Sequence, residues 1–414
     1  MAQTPAIDID GAHVERLIMQ MGEIGRHSDT GVWRTVYSPE WVEANALFSR
    51  WSEEAGLQVS TDAVGNVWAK LEGSAGGKSI VSGSHIDTQR PGGRYDGTLG
   101  ILAALIAVDA LKRTFGQPKR TLEVVSLCEE EGSRFPTANF WGSRAITGRI
   151  RPEDLATVKD FDGIAIGEAM RAVGLDPAGV PAARRSDIES FVELHIEQGP
   201  ILEHADLSVA VVDAITGIRH TEVVLTGVQN HAGAFPMDIR NDPMAGFAEI
   251  ASSLIDHAHR LGRPAVTTIG RCIPYPNAGA VIPRSVTFTI DARHPDPQAR
   301  QRMYAVHDAL LREVAERRGL GLETRVLLDH EPSLSAKRLV ATMRDAAASQ
   351  DVRTLTMASG AGHDSQQMAA VADVVMLFVR SKDGRSHTPE EFSSIPDIVD
   401  GIKVLAAGLY ALAY

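Results

Sequence analysis

The chain has 414 residues, 44% hydrophobic and 23% charged, the balance of a globular protein and more chain than one ordinary core takes, so two domains are expected. A formal net charge of −12 argues against a nucleic-acid or anionic-membrane partner, since both demand a basic face. The two cysteines, Cys128 and Cys272, lie far apart in separate apolar runs, which argues against a disulfide framework and fits a reducing compartment.

Amphipathic helices are expected over 11–26 and 39–56, the second opened by Ser38 as a cap and Pro39 at its first position. Short β-rich runs follow, NVWAKL (66–71), SIVSGSH (79–85), LEVVSLC (122–128) and FVELHI (191–196), separated by helical or glycine-rich segments. Strands alternating with helices predict an α/β fold, a doubly wound and mainly parallel sheet. The longest apolar run, 99–111, is interrupted by Asp109 and too short to span a bilayer. The N-terminus has no basic segment leading into an apolar stretch, so a cytoplasmic location is expected. After about residue 213 the pattern changes to strand 221–228, helix 241–261, strands 265–272 and 285–293, helix 296–319 and strand 322–329. That β-α-β-β-α-β order is ferredoxin-like. The α/β pattern then resumes with helix 336–349, strand 373–379 and helix 395–412. The expected organisation is a larger domain in two parts, 1–212 and 331–414, with an α+β domain of 213–330 inserted.

Ligand groups in a doubly wound sheet gather at the carboxyl ends of strands, where His85, Glu129-Glu130-Glu131 and His195 all fall. GSHIDTQRPGGRYDGTLG (83–100) sets His85 and Asp87 after a strand and Asp96 in a glycine-rich loop. Glycine lets backbone pass close to a ligand, and His with Asp is the usual raw material of a metal site, although the stretch alone fits an ordinary polar turn as well. In CEEEGSRF (128–135) three adjacent carboxylates repel one another unless something positive sits there. A divalent cation would relieve this with one Glu as ligand and its neighbour free as a base. ELHIEQGP adds His195, GRSHTPEE adds His387 and NHAGAFPM adds His231. IDARH adds Arg293, either a surface charge or a clamp for a carboxylate, and SGAGHDSQQMA a capping turn or cleft lining. Singly, each reads equally well as ordinary structure.

Together and in this order, the motifs resemble the hydantoinase/carbamoylase group of metal-dependent amidases, within the dinuclear M20 metallopeptidase superfamily, from about Tyr37 to the C-terminus. The group includes N-carbamoyl-L-amino acid hydrolases, β-ureidopropionase and allantoate amidohydrolase. The resemblance implies that His85 and His195 ligate one divalent ion, Glu131 and His387 a second, and that Asp96 bridges them. It makes Glu130 the general base and has Asp87 accept the other N–H of the His85 imidazole. Gln198, His231 and Arg293 match substrate-holding positions, and His231 would also stabilise charge on the attacked carbonyl. The ions would be Zn2+ or Mn2+, with Co2+ and Ni2+ accepting the same ligands. The inserted domain would serve as a lid and as the contact of a homodimer. The implied reaction is hydrolysis of a linear amide or ureido C–N bond in a small carboxylate-bearing molecule, an N-carbamoyl-L-amino acid first, allantoate or an N-acyl amino acid as alternatives. Two positions depart from the group. Ala280 stands where it has an asparagine, with Asn277 three residues earlier as a candidate substitute, and Ala234-Phe235 stand where it has two threonines. Both changes predict a less polar pocket and a substrate with a larger or more apolar portion.

Overall fold

Polar caps open five of the long helices. In the computed structural model, which describes residues 5–414, the side chains of Asp10, Ser38, Asp242, Asp296 and Ser394 each accept a backbone N–H in the first helical turn. Proline follows within the first two positions at four of them, where its missing N–H costs nothing. The chain forms two compact units. One runs to Asp213 and resumes over Ser335–Met357 and Gly362–Tyr414, and the other comprises Ala214–Leu334 with Ala358–Ala361.

In chain order the first unit supplies α1 (Gly11–Glu23), α2 (Pro39–Glu54), β1 (Gln58–Thr61), β2 (Val67–Leu71), β3 (Ser79–His85), α3 (Thr98–Phe115), β4 (Leu122–Leu127), β5 (Ile188–Ile196) and β6 (Val209–Ile215). The second supplies β7 (Gly217–Thr226), α4 (Pro243–Leu261), β8 (Val266–Tyr275), β9 (Ser285–His294), α5 (Pro297–Arg317) and β10 (Gly321–His330). The chain then adds α6 (Lys337–Ser349), β11 (Thr354–Ser359), β12 (Asp373–Val379) and α7 (Ile395–Ala413).

The main sheet has the order β6-β12-β5-β3-β4-β2-β1, with β11 paired to β6. Its centre, β12-β5-β3-β4, is parallel, as expected. Its flanks are antiparallel, because β1 and β2 form a hairpin and β6 returns beside β12. Every residue of β3 and β4 is buried, as in a parallel sheet covered on both faces. One face packs α1, α2, α3, α6 and α7, and the other a smaller cluster of Trp68, Phe191, Ile146 and Met368. A Cβ on Gly100 would lie 2.3 Å from the Leu194 carbonyl, so a glycine is needed for α3 to sit this close to β5.

The second unit has the observed order β-α-β-β-α-β and an antiparallel sheet, β8-β9-β7-β10. Along β9 burial alternates, turning Val286, Phe288, Ile290 and Ala292 toward Ile250, Leu254, Met303 and Leu311 of the two helices. No helix among the described residues is long and apolar enough to cross a membrane.

Candidate metal centre

Four parallel strands end side by side, and their ends carry the chemistry. His85 closes β3, Glu129, Glu130 and Glu131 follow β4, His195 is the penultimate residue of β5, and His387 lies in the loop between β12 and α7. Asp96 precedes α3. Gly97 beside it has φ +63°, and a Cβ there would fall 2.3 Å from the His85 ring. Only glycine lets the Asp96 loop pass so close to the imidazole.

Two groups of side chains converge enough to hold a metal ion, His85 with Asp96 and His195, and Asp96 with Glu131 and His387. Asp96 is common to both. Its Oδ1 lies 3.1 Å from His195 Nε2 and 3.5 Å from His85 Nε2, and its Oδ2 lies 3.4 Å from His387 Nε2. Glu131 Oε2 is 3.5 Å from His387 Nε2 and accepts the Gln89 amide at 2.7 Å. Its Oε1 is buried without a partner among the described residues. Glu130 belongs to neither group, yet its Oε2 stands 3.8 Å from His85 Nε2.

Backbone carbonyls set two of the rings. His85 Nδ1 donates to the Asp87 carbonyl and His195 Nδ1 to that of Ile196, each at 3.0 Å, while His195 Nε2 accepts the Gly97 N–H at 3.3 Å. Both rings therefore carry a proton on Nδ1 and aim Nε2, the atom a metal ion would take, at Asp96. Imidazole nitrogens and carboxylate oxygens converging on Asp96, with Glu131 Oε1 unpaired among the described residues, fit a bound divalent cation. Without one, burial pushes the Glu130 carboxyl well above the usual range, with Glu131 and Asp364 adding to it. Burial and then the Asp96 charge push Glu131 up to about 8.

Asp87 differs from expectation. Its carboxylate is 3.8 Å from His85 Nδ1, and its own carbonyl receives the ring N–H instead. The carboxylate turns to the free N–H groups beyond β4, accepting from Glu130 at 3.3 Å and Glu131 at 3.2 Å. Over a two-residue span the main chain folds back onto the ring, which frees the side chain to orient the glutamates. Gln198 donates through Nε2 to Asp96 Oδ2 at 2.9 Å. The first residue of the acidic triplet, Glu129, caps its own loop by accepting the N–H of Phe135 at 2.7 Å and of Arg134 at 3.2 Å.

The other expected residues belong to the second unit. His231 pairs with Val281 in a short ribbon, and Ala232 donates to the carbonyl of Ala280 at 3.0 Å. His231 Nδ1 accepts the N–H of Gly233 at 3.1 Å and of Ala234 at 3.0 Å, which leaves the proton on Nε2. Asn277 is exposed in the loop between β8 and β9 at φ +57°. Arg293 forks onto Asp291 with two contacts of 2.8 Å and donates to the Gly360 carbonyl at 2.7 Å, so its clamp is engaged by a carboxylate of its own strand.

Sequence reasoning missed Arg34 and Glu391. Arg34 is fully buried and donates to the carbonyls of Met21, Ile24 and Ile86 and to the Thr98 hydroxyl, tying α1 to the start of α3. No spacing announces it. Glu391 accepts the N–H groups of Tyr95 and Asp96 and lay unread inside SHTPEE.

A parallel sheet beside whose strand ends two imidazoles, a third from a following loop and several carboxylates gather around one shared aspartate has the donor set of a metal-dependent enzyme. Residues 81–411 match peptidase family M20/M25/M40, and the chain belongs to that family. It is 40% identical over 402 residues to the allantoate amidohydrolase of Escherichia coli (strain K12), covering 97% of this chain and 98% of that one. It is 36% identical over 394 residues to the N-carbamoyl-L-amino-acid amidohydrolase of Pseudomonas sp. (strain NS671), covering 94% and 95%. Among solved structures it is similar to an amidase of the hydantoinase/carbamoylase family from Burkholderia multivorans, with TM-score 0.92, 33% identity and 99% of each chain covered. The protein is an amidohydrolase of that group.

Proposed function

We propose that the protein is a dinuclear metal-dependent amidohydrolase that cleaves a ureido or amide C–N bond in a small carboxylate-bearing substrate. The observation that carries this reading is the pair of donor groups sharing Asp96, with Glu130 beside them and outside both. His85, His195 and Asp96 would hold one ion, and Asp96, Glu131 and His387 the other, Zn2+ or Mn2+ by donor type, with Co2+ and Ni2+ also accommodated. Bound there, such ions make hydroxide available near neutral pH and polarise the scissile carbonyl. Glu130 takes the proton of the attacking water and returns it to the leaving nitrogen, a task its place beside the donor groups and outside both suits. His231 offers its Nε2 proton to the carbonyl oxygen as charge builds there. Gln198, Asn277 and Arg293 hold the substrate, Arg293 by exchanging Asp291 for the substrate carboxylate. The second unit acts as lid and as the contact of a homodimer, and the protein works in the cytoplasm.

N-carbamoyl-L-amino acids are the first substrate class. Allantoate is a second reading, favoured by identities of 40% and 38% to two bacterial allantoate amidohydrolases. The test is ammonia release by metal-stripped and then Zn2+- or Mn2+-reconstituted protein on N-carbamoyl-L-amino acids, allantoate and N-acyl amino acids. Ammonia from a ureido compound should appear only with metal, and Glu130→Gln should lower the rate by roughly 10²–10⁴-fold while metal still binds. Metal-dependent cleavage of N-acyl compounds alone would replace the ureido reading with a plain amidase.

A further inference from the structure

Asp96 must face both donor groups, yet it sits in a loop with glycine before and after it and no strand to hold it. The support comes from four residues beyond His387. Glu391 is buried, and its Oε1 accepts the backbone N–H of Tyr95 and of Asp96, each at 2.9 Å. Its Oε2 lies 3.2 Å from the Ser386 hydroxyl, which donates to Asp96 Oδ2 at 2.6 Å. The loop 91–97 is shaped around this carboxylate, because a Cβ on Gly93 would fall 2.3 Å from Glu391 Oε1. Phe392 stacks edge-on against Tyr95 at 5.9 Å and closes the other side. A second buried carboxylate this close to Asp96, with no cation paired to it among the described residues, repels the Asp96 charge, a cost that the two N–H groups and the hydroxyl it accepts offset in part.

We propose that Glu391 is a positioning residue for Asp96: by accepting the Tyr95 and Asp96 N–H groups and bracing Ser386, it fixes the shared aspartate relative to His387 and so sets the affinity of both metal positions. This rests on the metal reading above. One short loop, 386–391, then supplies both a ligand and the support of the ligand shared with the other ion, which couples the two positions.

The experiment measures Zn2+ stoichiometry and affinity by chelator competition on the full chain, together with the melting temperature of the metal-free protein. Glu391→Leu leaves the Tyr95 and Asp96 N–H groups unpaired and should bind Zn2+ about 10–100-fold more weakly. Glu391→Gln keeps an oxygen for the two N–H groups and should stay within about threefold of wild type. Wild-type affinity in Glu391→Leu, or an equal loss in Glu391→Gln, overturns the inference. A purely structural role would lower metal-free melting and leave affinity alone, which also overturns it. If Glu391→Leu does not fold, Ser386→Ala decides, with weaker Zn2+ binding expected and unchanged binding contrary. His195→Ala serves as the ligand control. Failure of wild type to bind Zn2+ sinks the metal reading itself, whereas two bound ions with unaltered variants sink this inference alone.

Discussion

A single methyl group at Gly97 tests how closely the site is built. Its Cβ would lie 2.3 Å from the His85 ring at a φ of +63°, so Gly97→Ala must either displace the imidazole or shift the Asp96 loop. We expect a loss of about 1–3 kcal/mol in metal-free stability together with weakened Zn2+ binding, read by thermal melting and chelator competition. Wild-type affinity in that variant would mean that the loop is not placed by the glycine. Residues of this kind divide by how their signal reaches the sequence. His85, Glu131 and His195 are legible because they stand at or just past strand ends in dense polar motifs, and Asp96 because it sits in a glycine-rich loop after one of them. Asp87 is legible as a participant but not in its contact, since its carbonyl and not its carboxylate meets His85. Arg34 leaves no trace, because its partners are backbone carbonyls whose positions depend on the fold.

The helices of the second unit carry a pH dependence of their own. His307 of α5 is buried with neither ring nitrogen bonded among the described residues, and it packs edge-on against His257 of α4 at 5.6 Å. Burial lowers its pKa to about 4, with His257 and Arg219 adding to the effect and Asp308 opposing it. The unfolded chain then holds more protons between about pH 4 and 6.5, so His307 favours the folded state above that range and its contribution is lost as pH falls through it. His307→Leu should flatten the dependence of melting on pH over that window and raise stability at its acid end. An unchanged slope would place the dependence elsewhere. The elements themselves were legible where period and caps agree, as in β9 and α5. Strand β1 was not, since its mostly exposed Gln-Val-Ser-Thr has no apolar alternation, and only pairing with β2 makes it a strand.

For the whole molecule, the candidate centre sets metal against stability. Burial pushes Glu131 and Asp364 up to about 8 and Glu391 to about 7, while Asp and Glu titrate near 4 in an unfolded chain. The folded metal-free protein therefore binds more protons than the unfolded one in between, and its stability falls as pH rises toward 8. Metal binding needs Glu131 deprotonated, so its stabilising effect grows over the same range. Between about pH 6.5 and 8, above the titration of His307, metal-free melting should fall and the gap to the Zn2+-loaded protein should widen. A gap that stays constant with pH would mean that metal displaces no protons from this cluster.

The sequence by itself determined the alternation of strands and helices, the β-α-β-β-α-β order of the second unit and the residues that reach the strand ends, because period, caps and turn residues act over a few positions. The tertiary structure alone decided which strands run side by side, that β6 returns antiparallel beside β12, and that Glu391 reaches back to Asp96. Those outcomes depend on contacts between residues up to nearly three hundred positions apart, |i−j| = 295 for Asp96 and Glu391, whose geometry local propensity does not encode.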